Sequence, residues 1–465
     1  MTPNINTLTA SILIKHLVFL YGSILNVIYG VFPYSLAFLA LSVLILLRRN
    51  KYFVFLLPFI IYPFQFLIRA QSPDNITLIL LPELTICLAI TSYFLIRDIR
   101  FSSLNFTYTL ILVVYISLSI TIYFSHLYDI AYFPILLRQN ILPVVFLVIF
   151  INISSFRDMA SFSLKLCFLS YSIISILIIF NLTNILTINQ STEGFYRFVD
   201  HSGEWLDPAA RQRVLFDFIG LPRINLFLGG AIGSAAAILV ALGLMPFLKR
   251  SEFSKFTYKI AGLPLVLLGF LSLSFSVIVP IILFIIMCLS RKTAFIFLPV
   301  LTAAIFYLIQ LDYLDNRSIT DYFLESIASH FLSYLESISV MSLLFGIGPR
   351  IIASGYYFVP DNFLVDIGLL RVFLETGIIN FSLFIFGLLV VLKKSFVVLT
   401  SASEGSVHYA VFLLLTLLAL VHANMTAFSP FFPIYVAVVA VIFDNSRRVT
   451  LVKAKKRVQL SRTAF

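Results

Sequence analysis

The sequence predicts an all-α, polytopic membrane protein with about 14 transmembrane helices and two enlarged outer loops. Of its 465 residues, 60% are hydrophobic and only 11% are charged, and the mean hydropathy of +1.04 is far above that of soluble domains. Most apolar runs are 15 to 23 residues long, close to the roughly 20 residues that a helix needs to cross a bilayer. Because the sequence lacks alternating, strand-length segments, helices rather than a barrel must satisfy the backbone hydrogen bonds in lipid.

Charged residues separate the apolar runs and give the approximate bounds of the helices. The predicted helices are 11–29, 31–47, 52–68, 78–95, 106–124, 141–155, 162–182, 226–248, 259–272, 276–290, 293–310, 376–392, 407–424 and 430–444. We expect the first to stay in the mature protein, since the residues before it are polar and nearly uncharged, unlike the start of a cleaved signal. The segment 259–290 fits either a hairpin of two helices or one long helix kinked around 272–276.

Positive charge predicts the orientation of a single integral membrane domain, residues 1–465. The basic tail, 445–465, contains seven Lys or Arg and no acidic residue, which is typical of a cytoplasmic end that touches anionic lipid. Counting the helices back from this tail puts the N-terminus in the cytoplasm too, and cytoplasmic segments then receive 23 of the 32 Lys and Arg. Because membrane orientation accounts for the surplus charge, we expect no nucleic-acid partner.

The same orientation separates lysine from arginine. All twelve lysines fall on the cytoplasmic side, whereas the nine basic residues of the outer side are all arginine. These are Arg69, Arg138, Arg197, Arg211, Arg213, Arg223, Arg317, Arg350 and Arg371. Codon bias and small numbers are one explanation. The other is that the outer face binds a planar anion with several oxygens, which arginine contacts through two parallel hydrogen bonds and lysine does not.

Two outer loops, 183–225 and 311–375, are much longer than the other connections, and the longest cytoplasmic connection is only about 393–406. No cytoplasmic domain is therefore expected to bind a nucleotide, and no Walker or dinucleotide-binding motif is present in the sequence. We expect no cofactor. No metal site is expected either, because Asp312 and Asp315 lack the spacing and the additional oxygen donors that Mg²⁺ prefers. Any reaction must occur outside, on a substrate that carries its own leaving group.

The first long loop returns to the membrane through three arginines, Arg211, Arg213 and Arg223, with Gly220 and Pro222 as turn formers among them. A lipid phosphate would lie at this depth, so these arginines are candidate substrate-binding residues. The loop also contains five acidic residues against four arginines, so internal salt bridges are the competing interpretation.

In the second long loop, segment 321–338 has apolar residues at helical spacing with Glu and Ser opposite, which predicts an amphipathic helix along the outer interface. His330 falls at the edge of the apolar stripe. It is either a general base that faces a cleft or a residue at the boundary between the two faces.

The rest of this loop carries further charged candidates near glycine turns. Gly346 and Gly348 predict a turn before Arg350, and Asp361, Asp366 and Arg371 follow before the chain re-enters the membrane. One interpretation of Asp366 and Arg371 is an ion pair at a helix start. The other makes a carboxylate the base for a sugar hydroxyl and Arg371 an anion contact.

With these loops in place, the chain resembles the O-antigen polymerase and ligase family, and the Wzy-type polymerases in particular. The resemblance lies in the many helices, the two enlarged loops, the Arg-rich return of the first loop, and the stretches LLFGIGP and DNFLVDIGLLRVFLETGII of the second. Ligase-like members carry a His-Asn pair about ten residues before the re-entry glycine. Here the pair is Asp361-Asn362, with a longer gap to Gly377, which favours the polymerase.

The resemblance implies a multi-pass protein of the bacterial inner membrane with periplasmic outer loops. It implies a metal- and nucleotide-independent glycosyltransferase that polymerises undecaprenyl-pyrophosphate-linked oligosaccharides into a surface polysaccharide, together with a chain-length regulator protein. Arginines would stabilise the departing pyrophosphate, and Asp366, Asp361 or His330 would take the proton of the acceptor hydroxyl. The alternatives are a lipid-linked oligosaccharide flippase or other transporter, and an O-antigen ligase.

Overall fold

The computed structural model describes residues 10–29, 34–65, 68, 76–96, 113–118, 141–153, 159–182, 263–264, 339–346, 368–401 and 432–463. Within these ranges the secondary structure is helical and includes no strand, which confirms the predicted all-α class. The helices are α1 (Ala10–Tyr29), α2 (Ser35–Arg49), α3 (Leu57–Ile61), α4 (Ile76–Leu95), α5 (Leu142–Ile153), α6 (Met159–Leu182), α7 (Val340–Phe345), α8 (Gly368–Ser401) and α9 (Phe432–Thr463). Short 3-10 segments, Lys51–Leu56 and Tyr62–Phe64, flank α3.

Five predicted helices coincide with α1, α2, α4, α5 and α6 to within a few residues at each end. Long apolar runs bounded by polar residues allow little else, so these elements follow from the sequence. The predictions for 226–248, 276–290, 293–310 and 407–424 lie outside the described residues. Those for 106–124 and 259–272 are described only at 113–118 and 263–264, which are helical.

The predicted helix at 52–68 is helical at its described residues, but its geometry changes between 3-10 and α along the segment. Pro58 and Pro63 fall within it, and a proline removes the N–H that would bond the carbonyl four residues earlier. For Pro63 that carbonyl belongs to Phe59, and Ser170 Oγ of α6 donates to it at 3.3 Å instead. Tyr21 of α1 places its hydroxyl 2.8 Å from the same Ser170 Oγ, so one serine joins three elements.

This proline-interrupted segment lies at the centre of the hydrophobic core. Phe59 is fully buried, and its ring centroid lies 4.6 Å from that of Phe150 in α5. Tyr62 contacts Phe432 of α9 at 5.8 Å between ring centroids. Each such aromatic pair adds about 0.5–1.5 kcal/mol beyond its buried area, so the segment connects the first third of the chain to its last helix.

The two C-terminal helices also differ from prediction. Helix α8 begins at Gly368 rather than at 376 and is broken at Gly377. Helix α9 does not end at 444 but continues through the basic segment to Thr463. The segment 445–463 contains no proline or glycine, and seven of its residues are Lys or Arg, which are good helix formers, so nothing in it ends the helix.

By length and composition, one helix among the described residues, Met159–Leu177, suffices to cross a membrane.

Candidate functional site at two glycine turns

Of the predicted site residues, the structure describes only Arg371, and of Arg371 only its backbone, in the first turn of α8. The other candidates lie outside the described residues; they are Arg211, Arg213, Arg223, His330, Arg350, Asp361 and Asp366. The amphipathic helix predicted at 321–338 lies outside them too. Two segments of this part of the chain are described, 339–346 within the second loop and 368–401 at its end, and they meet.

Gly346 and Gly377 share an unusual backbone conformation. Gly346 ends α7 with φ 85° and ψ 171°, and Gly377 interrupts α8 with φ 71° and ψ 173°. They are the two glycines with positive φ among the described residues. This region of φ and ψ is essentially restricted to glycine, and residues held in it cluster at binding and catalytic sites.

The two glycines are also in direct backbone contact. A Cβ atom added to Gly377 would collide with Gly346 N, Leu344 O and the carbonyl carbon of Phe345. We call these four residues the glycine junction. Only a residue without a side chain allows the last turn of α7 to approach the break in α8 this closely.

Helix α7 is fixed at both ends, which orients the junction. At its start, Ser339 Oγ accepts a hydrogen bond from Ser342 N at 3.1 Å, so Ser339 is the N-cap. At its end, Gly346 N donates to Ser342 O at 2.7 Å and closes the final turn. These two hydrogen bonds lie within the segment 339–346 and define where the six-residue helix begins and ends.

The break in α8 is supported on both sides. Phe373, before the break, and Phe381, after it, have ring centroids 5.4 Å apart in an edge-to-face arrangement. Leu374 is buried, and beyond Gly377 the side chains of Phe384, Leu388 and Val391 pack against the main core. Both halves of α8 are therefore held by packing, and the break is part of the fold.

A buried amide, Asn380, follows the break by one helical turn. Its side chain is 1% exposed, and no group in the described part of the chain hydrogen-bonds its Oδ1 atom. Thr376, on the other side of Gly377, is also buried. The sequence analysis missed Asn380, although an amide within the otherwise apolar run 376–392 is a recognisable signal.

The described residues of this site offer backbone groups and an amide. Within the described ranges, no three His, Cys, Asp or Glu side chains lie close enough together to hold a metal ion. The negatively charged candidates for proton transfer, Asp361 and Asp366, belong to the segment 347–367 that connects Gly346 to α8. Both ends of this connection are held near the junction, because Gly346 belongs to it and α8 begins nine residues before Gly377.

Comparison with family models, with curated proteins and with solved structures gives no match to this chain. A functional assignment therefore rests on the residues and on the contact between the two glycine turns.

Proposed function

We propose that this chain is an integral membrane glycosyltransferase of the bacterial inner membrane. It polymerises undecaprenyl-pyrophosphate-linked oligosaccharide repeat units into O-antigen or a similar surface polysaccharide on the periplasmic face. The proposal includes about 14 transmembrane helices with both termini in the cytoplasm, and a chain-length regulator protein as partner.

The observation that supports the proposal most is the contact of Gly377 with Gly346. These glycines belong to LLFGIGP and to DNFLVDIGLLRVFLETGII, the two stretches of the second loop that resemble the polymerases. They lie 31 positions apart in the sequence, and nothing in the sequence alone requires them to touch. Because they are in contact, the two stretches that resemble the polymerases lie next to each other in the structure.

Four of the candidate site residues belong to the part of the chain around these two glycines. Arg350, Asp361 and Asp366 lie on the segment between the two glycines. Arg371 lies six residues before Gly377 on α8, which puts its Cα about 9 Å along the helix axis from the break. The proposal is that these four side chains act on one substrate.

In the proposed reaction, an oxygen of the acceptor sugar bonds to the anomeric carbon of the donor glycan, and the bond from that carbon to the pyrophosphate oxygen breaks. The proton of the acceptor hydroxyl passes to Asp366, with Asp361 and His330 as the other candidates. Negative charge grows on the departing pyrophosphate. Arg211, Arg213, Arg223, Arg350 and Arg371 are the proposed anion contacts, and one well-placed donor typically contributes about 3–4 kcal/mol to such a transition state.

The broken helix α8 gives one observation in favour of a transporter. Secondary transporters place the ends of interrupted helices at their substrate sites, and α8 is interrupted at Gly377. A lipid-linked oligosaccharide flippase is therefore the alternative, with an O-antigen ligase as a third candidate.

Deletion of the gene separates these functions. We expect a deletion strain to display lipopolysaccharide with a single repeat unit on gels, because flipping and ligation continue while polymerisation stops. Loss of every repeat unit would instead identify a flippase or a ligase. Long polymer that stays on the carrier lipid, rather than on lipid A, would identify the ligase alone.

A further inference from the structure

The second half of α8 begins at the glycine junction, and its first turn carries Asn380. Gly377 interrupts the helical backbone, so helical geometry starts again at Ile378 and continues to Ser401. The first N–H groups of such a segment lack carbonyl partners within it and carry the positive end of the helix dipole. These groups are hydrogen-bond donors at the base of the junction.

The Asn380 side chain lies on the face of α8 that bears Gly377. Residues three apart in a helix share a face, and helical side chains lean toward the N-terminal end. The same stripe continues through Phe384, Leu388 and Val391, which pack against the main core. Asn380 is thus the polar residue of this stripe, at the point where the stripe meets the break.

The Oδ1 atom of Asn380 lacks a hydrogen-bond donor among the described residues. Its side chain is 1% exposed, and Oδ1 accepts no hydrogen bond from the described residues. A buried acceptor without a donor is costly, and proteins that keep one usually have a bound partner for it. Since Asn380 follows Gly377 by one turn, we expect its partner to enter at the junction.

The backbone N–H groups at the start of the second half of α8 and the Asn380 amide together limit which ligand groups can bind here. The backbone N–H groups need an acceptor, and Asn380 Oδ1 needs a donor. A hydroxyl group provides both functions on one oxygen, whereas an ionised phosphate or carboxylate has only acceptors. A pyrophosphate at this position would be unfavourable, because its oxygens and Asn380 Oδ1 are all hydrogen-bond acceptors.

We propose that Asn380 binds a hydroxyl group of the acceptor sugar through Oδ1, while the start of the helix at Ile378 donates to the same oxygen. This assignment rests on the proposed glycosyl transfer. It adds where the acceptor and the donor bind. The acceptor sugar occupies the glycine junction, and the anionic carrier of the donor is left to the arginines. Asn380 is then a binding residue for the acceptor.

Two substitutions at Asn380 test the assignment, each expressed in the deletion strain. Asn380→Leu keeps the approximate volume and removes the acceptor, whereas Asn380→Asp keeps an acceptor at a helix start, where a carboxylate is favourable. The readouts are the polysaccharide ladder on gels and the thermal unfolding temperature of the purified protein in detergent. Ser382→Ala is the matched control, since Ser382 is exposed on the same helix and its Oγ donates to the Ile378 carbonyl of its own helix.

We expect Asn380→Leu to reduce long polymer at least tenfold with an unchanged or higher unfolding temperature, Asn380→Asp to reduce it less, and Ser382→Ala to keep it. Normal polymer in Asn380→Leu would overturn the assignment and make the amide structural. A larger loss in Asn380→Asp than in Asn380→Leu would also overturn it, because an anion would then be the partner. If Asn380→Leu does not accumulate, Asn380→Ala, which also removes the acceptor, takes its place in both comparisons.

A different result would refute the proposed function itself. If the unaltered chain does not restore polymer to the deletion strain, the glycosyl transfer itself is refuted, whatever the variants do.

Discussion

Replacing Gly377 with alanine is expected to lower the free energy of unfolding by about 3 kcal/mol and to abolish long polymer. Two costs combine. An alanine at φ 71° and ψ 173° is strained, and its Cβ would collide with the backbone of Gly346 and Leu344. Because those contacts are backbone atoms, a rotamer change cannot relieve them, so α7 must move away from α8. Unfolding of the purified protein in mixed micelles with increasing SDS measures the change.

Gly387 provides the matched control on the same helix. It is exposed, and a Cβ atom added there would meet nothing within 4 Å. We expect Gly387→Ala to keep normal polymer and to change stability by less than about 1 kcal/mol, in the stabilising direction, because alanine favours a helix. Equal behaviour of Gly377→Ala and Gly387→Ala would show that the junction has no structural role.

The second large effect is expected at Arg213. Arg213→Lys keeps the charge but loses the planar fork that binds two oxygens at once, so long polymer should fall by about 10²–10³-fold while the protein level stays normal. A polysaccharide gel and an immunoblot of the same cells measure both quantities. Wild-type chain lengths in this variant would rule out Arg213 as a pyrophosphate contact.

Arg317→Lys is the matched control for Arg213→Lys. Arg317 is another outer arginine of the sequence, but it is not among the proposed anion contacts. We expect its replacement to leave chain length unchanged. A fall in protein level for Arg213→Lys, without such a fall for Arg317→Lys, would favour the competing interpretation, in which Arg213 forms salt bridges within its loop.

The fold was predictable where one physical rule dominates. Helices α1, α4 and α6 come from long apolar runs between polar residues, and burial in lipid or protein leaves no other secondary structure for them. The extension of α9 to Thr463 was missed for a related reason. Hydropathy defines where a helix leaves an apolar environment, and it does not define where helical hydrogen bonding ends.

The prediction failed where local geometry depends on partners distant in sequence. Pro58 and Pro63 signal an irregular helix, but the sequence does not show that Ser170 supplies the hydrogen bond missing at Phe59. The sequence predicts a turn at Gly346, whereas Gly377 is predicted only as the glycine where the chain re-enters the membrane. Their contact depends on how α7 packs against α8, which a one-dimensional pattern cannot specify.

The sequence predicts charged site residues near glycine turns, and among the described residues only the place of Arg371 bears on this prediction, since Arg371 lies on the helix that carries the break. The chemistry of these residues stays a prediction. The sequence did not single out Asn380, because a single amide in an apolar run also fits a packing role. Its burial, and the lack of a hydrogen bond to Oδ1 from the described residues, favour a binding role.

The most direct test of the account is polymerisation by the purified chain. The protein is reconstituted in liposomes with lipid-linked single repeat units extracted from the deletion strain, without nucleotide and with EDTA present. The account predicts a ladder of longer lipid-linked products for the unaltered chain and for Gly387→Ala, and single units alone for Gly377→Ala. Persistence of single units with the unaltered, folded chain would contradict the proposed glycosyltransferase activity.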